Sequence, residues 1–166
     1  VSPININDYP AIKKHLDAFY PQLAKRTDKG ITPYNLRNCA YMNDFSKQKI
    51  VYREISDTMD ACLVESGYML NNKCYIITGD HLKYVLSFLN SNLFTKIILP
   101  QTNVTGGKGE GFLNEISLLI PSSTVENKFL KLYDQRQNGC DVDKDVDILF
   151  CTLYGLTNEE TNYVIE

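Results

Sequence analysis

A single change of hydrophobic period, within the stretch Lys49–Leu93, most constrains what this chain can fold into. Residues 50–52 and 74–77 are short β-branched and aromatic runs bounded by turn residues, which is typical of strands. The apolar residues that follow recur at the spacing of one helix face: Leu82, Val85, Leu86 and Leu89. Asp80 is expected to cap this helix, because its carboxylate can accept from the free N–H groups of the first turn. The pattern predicts a strand–turn–helix core without a catalytic group.

Length and composition favour one domain with a real hydrophobic core. The chain has 166 residues, of which 43% are hydrophobic. No apolar run approaches the roughly 20 residues that span a bilayer. The N-terminus also lacks the basic and apolar regions of a signal peptide. We therefore expect a cytoplasmic protein without a membrane partner. Because the sequence starts at Val1 and not at Met, we also expect a fragment of a longer protein.

The cysteines and histidines form no recognisable metal or catalytic motif. The five cysteines are odd in number, and none has C-x-x-C spacing. They are Cys39, Cys62, Cys74, Cys140 and Cys151. A thiol hydrolase would need one of the first three beside His15 or His81, and neither histidine has motif context. We expect reduced thiols, no metal site and no catalytic residue.

Charge is distributed unevenly along the sequence. Residues 1–55 hold nine Lys/Arg and five Asp/Glu, whereas residues 126–166 hold four and nine. A basic front on a chain of net charge −3 points to an anionic partner. On composition alone, a chance distribution of the charges explains this asymmetry equally well.

The basic front begins with a predicted helical arm over residues 8–26. Asn7 or Asp8 is expected to cap it, Pro10 to open it and Pro21 to kink or split it. Its apolar stripe is Ile12, Leu16, Phe19 and Leu23.

A basic turn, residues 25–30, then leads into residues 32–37. Together these segments supply cations, an aromatic ring and an amide, which suit phosphate contact, stacking and base-edge hydrogen bonding. An ordinary basic loop is the commoner structure for such a segment and remains the alternative. Lys47 and Lys49 add charge just before the first strand. Lys108 lies in a glycine-rich loop, residues 101–112, which matches neither a Walker A loop nor G-x-G-x-x-G.

The remaining segments predict further strands and a helical C-terminus. The strand that begins at Ile50 is expected to reach Ile55, with further extended segments at 59–65 and 67–70 and a buried strand at 116–120. Residues 93–99 could be a short helix or a strand. Ser122 or Ser123 should cap the next helix. Asp141, Asp143, Asp145 and Asp147 fail the EF-hand pattern and are assigned to a helix N-terminus. Gly155 should end that helix, and Thr157 with Glu160 forms a capping box for the last one.

Several segments together resemble a known family. They are residues 9–16, 23–26, 34–39, 49–55, 86–91, 119–121 and 153–160. In this order they resemble the TaqI-like C-terminal specificity domain. That domain follows the N6-adenine methyltransferase core in type II restriction-modification enzymes with fused endonuclease activity and in related phage-defence methylases.

The resemblance implies a target-recognition domain that reads the DNA sequence on which a catalytic part acts. The methyltransferase motif Asn-Pro-Pro-Tyr is absent from the sequence. S-adenosylmethionine, and Mg²⁺ where the parent enzyme needs it, are therefore expected in a missing N-terminal methyltransferase or nuclease part and not in this chain.

We accordingly predict an α+β fold with a small, mixed, mostly antiparallel sheet and packed helices. A target-recognition domain is expected over residues 1–123 and a C-terminal helical segment over 124–166. Double-stranded DNA is the expected partner, besides the catalytic part of the parent chain. The predicted DNA-binding residues are Lys25, Arg26, Lys29, Tyr34, Asn35, Arg37, Lys47, Lys49 and Lys108. The alternative function is a non-catalytic module that docks a methylase or nuclease partner through the acidic C-terminal helices.

Overall fold

The computed structural model describes residues 3–56, 58–101, 110–114 and 116–166, except the side chains of Glu110 and Phe112. The chain forms two compact units, Val1–Met42 and Asn43–Glu166. The predicted boundary after residue 123 falls within the second unit and stays a prediction.

The first unit is helical at its start. A 3₁₀ turn, Ile6–Asp8, precedes α1 (Pro10–Asp17) and α2 (Tyr20–Lys25). Pro10 opens α1 and Pro21 lies in the first turn of α2, which confirms the predicted split. The predicted cap was wrong, because Asn7 and Asp8 belong to the 3₁₀ turn that the Asn5 side chain caps. None of residues 3–42 is buried, so the apolar face of α1 and α2 does not pack against a buried core.

The second unit is built on a three-stranded antiparallel sheet. After a 3₁₀ turn (Met42–Ser46) come β1 (Lys49–Arg53), β2 (Cys62–Val64) and β3 (Cys74–Ile77). The central strand is β1, and Ile50 lies opposite both Leu63 and Ile77. The first strand ends two residues earlier than predicted, and residues 67–70 are not a strand.

Helix α3 (Leu82–Leu89) packs on this sheet as expected, but it starts differently. Asp80 does not cap it; the N-cap position is His81, which has a left-handed φ of 59° and makes no capping bond. The His81 Nδ1 instead lies 2.6 Å from Glu126 Oε1. Besides Leu82, Leu86 and Leu89, the side chains of Tyr84 and Phe88 are also buried. The buried surface is wider than one stripe because the sheet and a later helix both pack against α3.

Helical turns follow α3, and one predicted strand is missing. The helical elements after α3 are a π-helix (Leu93–Ile98), a 3₁₀ turn (Leu99–Gln101) and α4 (Glu110–Asn114). Residues 116–120 were predicted as a buried strand, which is wrong: Ile120 is 82% exposed and the segment pairs with no strand of the described chain. The Tyr84 hydroxyl donates to Leu119 O over 2.7 Å, and Leu119 N donates to the Tyr154 hydroxyl over 3.3 Å. The backbone of Leu119 therefore bonds to side-chain hydroxyls and not to a neighbouring strand.

The chain ends in three helices: α5 (Ser123–Gln137), α6 (Asp143–Leu153) and α7 (Asn158–Ile165). Ser122 occupies the N-cap position of α5 but makes no side-chain capping bond. Gly155, at a φ of +71°, follows the end of α6 as predicted. The capping box is confirmed, with Glu160 N donating to Thr157 Oγ1 and Thr157 N to Glu160 Oε2.

Aromatic rings fill the interface between these helices and α3. Phe150 on α6 lies 4.3 Å from Phe129 on α5 and 5.3 Å from Phe88 on α3, measured between ring centroids. The architecture confirms the predicted α+β class, with a small antiparallel sheet and a C-terminal helical segment. No helix in the described ranges has the length and apolarity needed to cross a membrane.

Candidate nucleic-acid interface

The basic turn of the first unit folds back on itself as a short hairpin, residues 25–37, which we call the basic hairpin. An antiparallel bridge joins Lys29 and Leu36. Gly30 N donates to Asn35 O over 2.9 Å, and Arg37 N donates to Asp28 O over 3.1 Å. The tip is closed by a third backbone bond, from Asn35 N to Thr32 O over 3.0 Å. The predicted basic turn is therefore a loop whose two arms are held together by one bridge and by backbone hydrogen bonds.

Gly30 allows the two arms of the hairpin to approach each other. A Cβ at this position would lie 2.4 Å from Leu36 O and 2.9 Å from Asn35 Cβ. Both distances are below van der Waals contact, and one of the opposing atoms is backbone, so the arms would have to separate.

We expect Gly30→Ala to open the hairpin, because overpacking of this kind costs about 1–3 kcal/mol locally. Amide hydrogen exchange of residues 28–37 should accelerate, while exchange around β1 should not change. Gly111→Ala is the matched control, since a Cβ at Gly111 meets nothing within 4 Å. Unchanged exchange at the Gly30 and Arg37 amides would contradict this packing.

Two of the four cations of the hairpin, Arg26 and Arg37, act on the carboxylate of Asp28. Arg26 Nε donates to Asp28 Oδ1 over 3.0 Å. This bond holds the pKa of Asp28 below its usual value, and the nearby charge of Arg37 lowers the pKa of Asp28 further. Lys29 Nζ donates to Ala24 O over 2.8 Å, which ties the hairpin to the end of α2. Lys25, the exposed last residue of α2, completes a set of four cations against one anion.

Tyr34 and Asn35 hold the hairpin to the rest of the first unit. The Tyr34 hydroxyl donates to Asp17 Oδ1 over 2.5 Å, and this bond lowers the pKa of Asp17 and raises the pKa of Tyr34. Lys13 Nζ binds the other oxygen of Asp17 at 2.9 Å. The Asn35 side chain accepts from Thr32 Oγ1 over 2.7 Å and donates to Ile4 O over 3.0 Å. Both residues thus use their polar atoms within the unit.

Lys49 is not available as a phosphate contact. Its side chain is fully buried, and Nζ donates to three backbone carbonyls, of Phe45, Lys47 and Glu65, over 2.8–3.2 Å. Three carbonyls satisfy the three N–H groups of the ammonium. Lys49 therefore fastens the start of β1 to the segments on either side. We correct the sequence-based expectation accordingly.

The two other predicted cations outside the hairpin have different positions. Lys47 belongs to the second unit, has a side chain that is 58% exposed and pairs with Asp44 at 2.7 Å. Lys108 lies outside the described residues.

Sequence reasoning missed the apolar residues that accompany these cations. Ile31 is 80% exposed and Leu36 is 76% exposed, although both belong to the ordered hairpin. They line a groove of about 680 Å³ within the first unit. Other apolar residues of its lining are Ile4, Ile6, Tyr9, Ile12, Leu16 and Met42. The signal available in the sequence was the placement of Ile31 and Leu36 between Lys29 and Arg37.

The charges of the two units have opposite sign. The first unit carries six Lys/Arg and three Asp/Glu, which leaves a net charge of +3 and makes the second unit −6.

All five cysteines are free. Among the residues that the structure describes, no group of three His, Cys, Asp or Glu side chains could hold a metal ion. The groups that the first unit offers to a partner are thus the cations, the exposed apolar residues and the hydrogen-bonding side chains described above.

Comparison with known proteins identifies the family. Curated proteins give no significant match. The family model of the TaqI-like C-terminal specificity domain matches residues 5–108, which include the basic hairpin, the sheet and α3. The resembling segments at 119–121 and 153–160 lie beyond the matched range. The match covers more than half of the chain. The chain therefore belongs to the TaqI-like C-terminal specificity domain family, the DNA target-recognition domains of restriction-modification enzymes.

Proposed function

We propose that this chain positions target DNA for an N6-adenine methyltransferase, and that the basic hairpin holds the DNA backbone. The observation that supports this most is the presence of four cations within residues 25–37, Lys25, Arg26, Lys29 and Arg37, against one acidic residue, in a segment that backbone bonds fold back on itself. Cations at this density neutralise phosphates and supply sequence-independent affinity. Sequence is then read by other contacts in the grooves.

Within this proposal the predicted residues take different roles. The four hairpin cations contact phosphates, with Lys47 and Lys108 as further contacts. Tyr34 and Asn35 position the hairpin, because their polar atoms already bond to Asp17, Thr32 and Ile4. S-adenosylmethionine, and Mg²⁺ where it is needed, act in the catalytic part. This chain contributes binding and orientation to that chemistry and no reacting group.

The test is a titration of a fluorescent duplex, drawn from a randomised-sequence pool, at several salt concentrations. Lys25→Ala should weaken binding to all sequences alike and flatten the slope of log K against log salt by roughly one unit. Lys128→Ala is the matched control, since Lys128 is an exposed lysine on α5 of the second unit. Removing its charge should leave the slope unchanged.

The same titration separates the competing functions. Wild-type binding that ignores salt, or no binding at low salt, would overturn the DNA contact and favour the protein-docking module. Enrichment of a subsequence identifies the target site. Adenine methylation of that site by the parent enzyme then tests the methyltransferase assignment.

A further inference from the structure

We infer that Ile31, at the tip of the basic hairpin, is a specificity-determining residue that packs against the C5-methyl group of a thymine in the DNA major groove. This inference rests on the proposed function and names one of the contacts that read the target.

The inference depends on where Ile31 lies in the hairpin and less on how exposed its side chain is. Exposed apolar side chains are common on protein surfaces, so 80% exposure alone says little. Ile31 differs because it lies at the tip of an element whose base carries Arg26, Lys29 and Arg37. Phosphate contacts at the base of the hairpin would carry the tip into a groove. The hairpin has two chain segments side by side, joined by one bridge, and an element of that width is accommodated by the major groove, about 12 Å wide, better than by the minor groove, about 6 Å wide.

The hairpin holds the backbone of Ile31 in place. The backbone bonds Gly30–Asn35, Asn35–Thr32 and Arg37–Asp28 close the turn on both sides of Ile31. The Asn35 amide, by donating to Ile4 O, anchors the turn to the N-terminal segment. A turn whose backbone is already ordered loses less conformational entropy on binding than a mobile loop does.

The chemistry at the tip selects the group that would be recognised. The polar side chains of the turn are engaged within the first unit: Thr32 Oγ1 donates to Asn35 Oδ1 over 2.7 Å, and the Tyr34 hydroxyl donates to Asp17. The tip therefore offers an apolar contact and no free amide or hydroxyl pair for a base edge. In the major groove the C5-methyl of thymine is the apolar feature that distinguishes one base pair from the others.

The experiment removes this methyl group and the side chain separately. The duplex enriched by the wild-type chain is prepared with each thymine replaced singly by deoxyuridine, which lacks only the methyl. One replacement should weaken wild-type binding about fourfold, the value of one buried methyl. Ile31→Ala should bind the thymine and deoxyuridine duplexes equally. Ile31→Val, which keeps a branched contact, should retain part of the discrimination.

Ile120→Ala is the matched control, because Ile120 is equally exposed but belongs to the second unit. It should discriminate as the wild type does. The inference is overturned if no single deoxyuridine changes wild-type affinity, if no sequence is enriched, or if Ile31→Ala keeps the full discrimination. The salt slope, which Ile31→Ala should leave unchanged, reports separately on the phosphate contacts of the proposed function.

Discussion

Replacing Phe150 by Ala is expected to lower the free energy of unfolding of the second unit by about 3–5 kcal/mol. Phe150 has no exposed surface, and its ring lies 4.3 Å from Phe129 and 5.3 Å from Phe88 between centroids. It therefore joins α6 to α5 and α3 at one point. Truncation removes the transfer free energy of a buried ring and leaves a cavity that three helices cannot close.

Urea denaturation, followed by far-ultraviolet circular dichroism, measures this loss. Ile148→Ala is the matched control on the same helix, because Ile148 is 42% exposed and should lose less than about 1 kcal/mol. If the two variants are equally stable, the ring cluster does not hold the helices together.

The second large effect is expected at Asp147, a buried carboxylate that is only 1% exposed. Its Oδ1 accepts from Asn92 N over 2.8 Å and from Leu93 N over 3.2 Å, at the start of the π-helix. Asp147→Ala leaves these N–H groups without an acceptor, which should cost about 1–3 kcal/mol. Asp147→Asn keeps an acceptor oxygen and should match the stability of the wild type below pH 3.8, where the wild-type carboxyl group is also uncharged.

The pH dependence of the Asp147 variants gives a sharper test. Burial raises the pKa of Asp147 above 3.8, despite the two backbone bonds that lower it. The folded state therefore binds this proton more tightly than the unfolded state does. The resulting stabilisation is fully present below pH 3.8 and is lost as the pH rises through the folded pKa. Asp147→Asn should gain stability relative to the wild type over that window, measured by urea denaturation at each pH. A stability difference that falls as the pH rises would contradict a raised pKa.

Local patterns predicted the elements whose stability is local. The strands at 50–52 and 74–77, the helix from Leu82 and the capping box at Thr157 are confirmed, since a hydrophobic period or a four-residue motif specifies each. Helix starts were less predictable. Because His81 adopts a left-handed conformation, α3 begins one residue after the position that an Asp80 cap would require.

Errors arose where distant residues decide the structure. The segment 116–120 has strand composition, yet the hydroxyls of Tyr84 and Tyr154, and not a neighbouring strand, bond to the backbone of Leu119. Asp147 was grouped with the exposed acids of a helix N-terminus, although Asn92 and Leu93 bind it from another part of the chain.

In the candidate site, too, the sequence predicted what local residues determine and failed where distant residues decide. Charge along the sequence located the basic hairpin, whereas burial of Lys49 depends on carbonyls of Phe45, Lys47 and Glu65 that only the fold brings together. The only signal for Ile31 was its placement between Lys29 and Arg37, because one apolar residue in a polar loop has no periodicity. Its significance depends on the bonds that order the turn around it.

The absence of buried residues over 3–42 has a thermodynamic consequence for recognition. The groove of the first unit and the Ile31 side chain keep apolar surface in water. Any partner that covers this surface, whether nucleic acid or protein, removes it from water, and apolar burial gives association a negative heat-capacity change. The enthalpy of complex formation therefore becomes more favourable on warming, whereas exchange of counterions at phosphates responds to salt.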